Sequence, residues 1–305
     1  VEGNKITKIA KSIPVPAGAT VIDAKGKVLM PGLIDAHWHT MFNFWPISKM
    51  MSADFGSHSI AAALNAKDTL LRGFTTVRDP AGNCMPVKKA IDEGLVDGPR
   101  VYPSLGAISQ TSGHFDFRGP NDVPEDPNAL LPYTMKSGHT IVADGVPEVI
   151  KRTREVLRMG ATFIKAMGGG GVSSLYDPLD VTEYTFEEAK AVCDVAKTWN
   201  TYVMIHANTD AAIRQWIEAG ALSVEHGFFM TDDALQSLAK RGVYWVPTIG
   251  AIRRAAARAK TGRAASTFIE EQIGGDECVA LARDREAPYR GHDGQLPALR
   301  VEKAH

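Results

Sequence analysis

The 305-residue chain is predicted to adopt an α/β fold, a TIM-like (β/α) barrel that is incomplete at its C-terminal end. Three observations predict it. Strand-sized apolar runs alternate with amphipathic helical stretches from Lys27 to Pro247. The runs are apolar with little alternation, as expected of a parallel sheet covered on both faces. Seven of them can be counted, about one strand and one helix short of a closed eight-stranded barrel.

Residues 1–30 carry short apolar runs broken by Gly and Pro, such as Ile6-Thr7-Lys8-Ile9 and Thr20-Val21-Ile22-Asp23, and predict a small β-region. The barrel is expected over 31–250. Val28-Leu29-Met30 leads through Pro31-Gly32 into Leu33-Ile34-Asp35-Ala36. A helix near 57–71 follows, with Ile60, Ala63, Leu64 and Leu71 on one side. Thr75-Thr76-Val77, a helix near 86–93 and Arg100-Val101-Tyr102 come next. The Gly/Pro/Asp-rich stretch 110–145 is too long for a simple connection and is expected to cover something functional. A helix over 147–159 has Pro147 in its first turn. Thr162 to Met167 reads as a strand. Thr185-Phe186-Glu187-Glu188 is a capping box opening a helix over 185–199. Tyr202 to His206, Leu222 to His226 and Val243 to Val246 complete the strand-like runs, with helices between them. Residues 251–305 form an atypical Ala/Arg-rich tail without a strand-like run. This composition break suggests a truncation or altered reading frame after about Ile249.

Composition narrows the function classes. A formal charge of −1 gives no electrostatic reason to expect nucleic acid or an anionic membrane as partner. No apolar stretch is long enough for a transmembrane helix. Cys84, Cys193 and Cys278 are far apart and odd in number, and make no disulfide framework or CxxC pair. The text opens mid-strand at Val1, so any signal peptide would lie upstream. Localisation is not legible, with the cytoplasm favoured.

Chemistry concentrates at strand ends. His37 and His39 alternate at the end of the first barrel strand and point to one side, where two imidazoles can bind one metal ion. Asp35 is placed to orient one of them. His206 and His226 end two later strands, one βα step apart. A single strand-end histidine is usually structural, but four at the ends of three strands are hard to explain as packing. Lys165 lies inside the apolar run Phe163 to Met167. It either snorkels to the strand end or is a low-pKa lysine able to take up CO₂ as a metal-bridging carbamate. Gly168 to Gly171 admit close backbone approach. Read as a phosphate loop they lack the lysine and hydroxyl of a P-loop.

Pro31-Gly32-Leu33-Ile34-Asp35-Ala36-His37-Trp38-His39, Lys165, His206 and Val224-Glu225-His226-Gly227 resemble the metal motifs of the amidohydrolase superfamily. Through Leu105 to His114 and Ile164 to Val172 the chain is more narrowly similar to the branch of Xaa-Pro dipeptidases (prolidases), imidazolonepropionase-like proteins and ochratoxinase. The resemblance covers residues 1 to about 249. It implies a metal-dependent hydrolase barrel with part of a small β-sandwich in residues 1–30. It implies that His37 and His39 hold the more buried of two divalent ions, of which Zn²⁺ suits the mixed N/O donors. Lys165, N6-carboxylated, would bridge both, and His206 and His226 would hold the more exposed ion. His114 would contact the substrate or its developing oxyanion; on its own it reads equally as a loop histidine without a role. The implied reaction is hydrolysis of amide C–N bonds in dipeptides, N-acyl amino acids or cyclic amides by a metal-activated hydroxide.

The pattern departs from the family at one place. No convincing strand-8 aspartate, the expected general base, is found: Asp276 and Asp293 lack a preceding apolar strand. The competing expectations are a catalytically impaired barrel and, on the glycine run alone, a phosphate-binding barrel. An open barrel would expose strand edges, so a homo-oligomer is also expected.

Overall fold

The computed structural model describes residues 1–119, 122, 131–174 and 176–250. The strand-8 candidates Asp276 and Asp293 and the Ala/Arg-rich tail lie outside these residues, as does part of the 110–145 stretch. The chain divides into two units, Val1–Gly32 and the chain from Leu33 onward. Within the first, the backbone forms turns and one isolated antiparallel bridge, Glu2 with Lys5. The partial β-sandwich expected there stays a proposal.

Among its described residues the second unit has nine strands: β1 (Leu33–Asp35), β2 (Phe74–Asp79), β3 (Arg100–Pro103), β4 (Ala107–Ser109), β5 (Thr140–Val142), β6 (Ile164–Met167), β7 (Val203–Ala207), β8 (Ser223–His226) and β9 (Tyr244–Val246). Its helices are α1 (Ile47–Ser52), α2 (Phe55–Leu71), α3 (Met85–Asp92), α4 (Tyr133–Lys136), α5 (Val146–Arg158), α6 (Phe186–Thr198), α7 (Asp210–Ala219) and α8 (Asp232–Arg241). All strand pairs are parallel, in the orders β1-β2-β3 and β5-β4-β6-β7-β8-β9. Thr162, just before β6, donates its N–H to Pro103 O at the end of β3 (2.8 Å) and links the two sets. This is the TIM-like βα arrangement that the alternation of runs predicts.

Two register pairs matter for function. His206 on β7 lies opposite Glu225 on β8, and Met167 on β6 lies opposite His206. β6 and β7 are buried at every position, which accounts for their unbroken apolar runs. The expected helices are present, and Thr185 and Glu188 form the capping box. Two features depart from expectation. β4 and β5 were not legible as strands: β4 lies between Gly106 and the start of the Gly/Pro/Asp-rich stretch 110–145, and β5 lies inside that stretch, where the breakers mask so short an apolar run. Leu105, in the left-handed region (φ 60°), lies between β3 and β4. On α2, Ile60, Leu64 and Leu71 face outward (67%, 65% and 74% exposed), while His58, Ala62, Ala66 and Thr69 are buried. The inward face is the one whose small alanines permit close packing, not the one with the larger apolar side chains.

Candidate active site

One cavity of about 280 Å³ is lined by His37, His39, His114, Lys165, His206 and His226, so all six residues singled out from the sequence meet. They come from barrel strands and from the loops that follow them. His37 and His39 follow β1, Lys165 is in β6, His206 is in β7 and His226 ends β8. His226 is itself left-handed (φ 72°), an uncommon conformation for a side chain with a Cβ and one that recurs at functional sites. His114 comes from the loop after β4. Phe115, Met167, Val172 and Phe228 give the cavity apolar walls.

The imidazoles form a continuous series. Ring centroids are 5.1 Å apart for His39–His37, 4.9 Å for His37–His226, 4.5 Å for His226–His206 and 4.0 Å for His206–His114. Most are tied at one nitrogen. His37 Nδ1 donates to Glu225 Oε2 (2.6 Å), His206 Nε2 to the Gly170 carbonyl (3.1 Å) and His114 Nδ1 to Asp177 Oδ2 (3.0 Å). His226 Nδ1 shares a hydrogen bond with Thr248 Oγ1 (2.6 Å). A nitrogen that must donate to a carboxylate or carbonyl fixes the tautomer and leaves a lone pair on the other. His39 Nδ1 is buried without a hydrogen-bond partner.

Burial sets the charge state. It lowers His39 to about 4, and it holds His37, His206 and His226 well below the ordinary imidazole range, with Lys165 adding to each shift. Burial likewise lowers Lys165 to about 7. The Lys165 side chain is 2% exposed and makes no hydrogen bond or ion pair with a described residue. The bland alternative, a lysine reaching to solvent, does not describe it.

The orienting partners differ from expectation. Asp35 accepts the backbone N–H of His37 (2.9 Å) and leaves the ring alone. The ring is held by Glu225, which is wholly buried and also accepts from Arg78 Nη2 (2.8 Å) and Ser223 Oγ (2.6 Å). Arg78, on β2, also donates Nε to the Ala36 carbonyl (2.7 Å). Glu225 and Arg78 carried the same signal that singled out Lys165, a charge within a strand, and the buried-charge argument applies to them equally.

The glycine run has a packing explanation. A methyl on Gly168 would come within 2.7 Å of the Trp216 ring, on Gly170 within 1.9 Å of the Pro178 carbonyl oxygen, and on Gly171 within 2.2 Å of His114 Cε1. Gly168 N–H donates to His206 O (2.8 Å) and Gly171 N–H to Asp177 Oδ2 (2.7 Å), so amides that a phosphate would need are already committed.

A model of the amidohydrolase family matches residues 28–288. The chain belongs to the amidohydrolase family. The match runs past Ile249 into the tail. Ochratoxinase of Aspergillus niger is 33% identical over 230 residues, covering 72% of this chain and 48% of the relative. The amidohydrolase-family chain thus spans about half the length of the curated relative it matches. Among solved structures, an amidohydrolase is 36% identical with a TM-score of 0.78, covering 89% of this chain and 67% of the other. A prolidase complexed with N-methylphosphonate-L-proline is 33% identical with a TM-score of 0.78, covering 90% and 68%. Among the described residues of this amidohydrolase-family chain, no helix is long and apolar enough to cross a membrane.

Proposed function

We propose that the cavity is the active site of a metal-dependent hydrolase that cleaves amide C–N bonds in small substrates, with two divalent ions, most simply Zn²⁺, as cofactor. One observation carries the reading: imidazoles tied at one nitrogen converge on a cavity that also holds a buried lysine without an ion-pair partner among the described residues. The donor set fits the ions, since buried neutral imidazoles with free lone pairs are unfavourable unless something accepts those pairs. His37 and His39 are assigned to one ion, His206 and His226 to the other. Among the described residues no three His, Cys, Asp or Glu side chains group around a single ion, so the assignment needs two imidazoles per ion with Lys165 shared between them. For that role Lys165 Nζ takes up CO₂ and releases one proton, becoming an N6-carboxylated, anionic ligand.

Bound there, the ions would supply Lewis acidity and a water activated near neutral pH. The chain's own residues do the rest. Glu225 and the Gly170 carbonyl orient His37 and His206. His114 contacts the substrate beside them. Phe115, Met167, Val172 and Phe228 exclude water around an uncharged portion of the substrate. The substrate class is dipeptides, N-acyl amino acids or cyclic amides, in keeping with the names of the ochratoxinase and prolidase relatives. Self-association into a homo-oligomer belongs to the same proposal, supported by the outward apolar face Ile60, Leu64 and Leu71.

The test is elemental analysis of the purified chain, together with hydrolysis of a panel of dipeptides and N-acyl amino acids. About two ions per chain with turnover is the expected result. Metal without turnover favours the impaired barrel, and a metal-free chain that stays inactive after Zn²⁺ is added removes the reading.

A further inference from the structure

His114 is held at two points by buried carboxyl groups from the segment after β6. Its backbone N–H donates to Glu183 Oε1 (2.7 Å), and its ring Nδ1 donates to Asp177 Oδ2 (3.0 Å). The side chains of His114 and Asp177 are 4% and 1% exposed. Asp177 Oδ2 is itself fixed by the Gly171 N–H (2.7 Å), and the Ser174 hydroxyl lies against His114 Nδ1. The absence of a side chain at Gly171 is what lets the ring lie there, as a Cβ would approach Cε1, Nδ1 and Nε2 to 2.2, 2.5 and 2.7 Å. The ring stacks on His206 at 4.0 Å and lines the cavity. The contacts above repeat for a loop histidine what Glu225, on β8, does for His37.

We propose that Asp177 is a positioning residue: it grips His114 by Nδ1 so that Nε2 is presented to the substrate in the cavity. The inference rests on the assignment of the cavity as an amidohydrolase active site. Asp177 does not touch the reacting atoms and acts through His114. The Gly171–Asp177–His114 contact is thus the purpose of the last glycine of the Gly168–Gly171 run.

The test compares D177A, D177N, H114A and the D177A/H114A double variant, as full chains with Zn²⁺ bound. D177A is expected to lower kcat/KM for an N-acyl amino acid about 10- to 100-fold at unchanged metal content, the range typical for loss of an orienting partner. D177N, whose amide oxygen can still accept from Nδ1 and from Gly171, is expected to recover most of that loss. The double variant should be no worse than H114A alone. In ¹H–¹⁵N spectra of the ring nitrogens, His114 should carry its proton on Nδ1 in the parent chain and in D177N, and lose that signature in D177A. Losses that multiply in the double variant, an unchanged ring signature in D177A, or a fall in metal that parallels the fall in rate would each overturn the proposal. If the parent chain binds no metal and turns nothing over, the assigned function fails, and the ring signature alone then decides the role of Asp177.

Discussion

On the strand side of the cavity, position follows from pairing. His206 sits opposite Glu225 because β7 and β8 are parallel neighbours in that register, and Lys165 is one strand further along. On the loop side no ladder operates. His114 lies between Ser112 (φ 61°) and Phe115 (φ 75°), both left-handed, and is held by Asp177 and Glu183. The strand side spreads its constraint over many backbone hydrogen bonds, whereas the loop side depends on two carboxyl groups and a missing methyl group. Damage to the first should therefore appear in metal binding and stability, and damage to the second in turnover with metal retained.

The largest effect should come from the strand side. H206A or H226A is expected to reduce bound Zn²⁺ by about one ion per chain, and turnover to background. Unchanged metal content in both, by elemental analysis, would break the comparison at its root. Arg78→Met comes next. It leaves Glu225, 0% exposed, without its cation, and a buried pair that loses one partner typically costs about 3–5 kcal/mol. Urea unfolding should show that loss, and a stability within 1 kcal/mol of the parent, roughly the size of a surface pair, would contradict it.

On the loop side, Gly171→Ala pushes directly on His114 and should cut kcat/KM roughly 10- to 100-fold, as displacement by about an ångström can. Zn²⁺ content should not change; if it falls, the two halves are not separable. The smallest effect is a pH dependence. Burial raises the Glu183 carboxyl to about 8 from 4.5. The unfolded chain then releases this proton first, so the stability associated with it is complete below pH 4.5 and is lost as pH rises to about 8. Glu183→Gln, which mimics the protonated form, should match the parent in thermal melts near pH 5 and exceed it above pH 8. Equal melting temperatures at both values would show that Glu183 is not held protonated.

The strand half was readable because its signals are local. A lysine inside Phe163 to Met167, or a histidine ending Met204-Ile205, conflicts with the apolar run around it, and the conflict shows in the sequence. The same argument reaches Glu225 and Arg78, whose charges are equally out of place in strands. It does not reach Asp177, which sits in a polar loop where an aspartate is ordinary. Nor does it reach β4 and β5, short runs beside and within a Gly/Pro/Asp-rich stretch, or the outward turn of Ile60, Leu64 and Leu71.

By itself, then, the sequence determined the βα alternation, the strand-end placement of His37, His39, His206 and His226, the position of Lys165 inside its strand, and the capping box at Thr185 and Glu188. Periodicity, capping and buried charge all act between residues near in the chain. Tertiary structure alone decided which ring nitrogen each carboxylate holds, why Gly171 must lack a side chain, and which face of α2 turns inward. Those depend on atoms brought together from distant segments, as with His37 and Glu225, 188 residues apart, or His114 and Asp177, 63 apart.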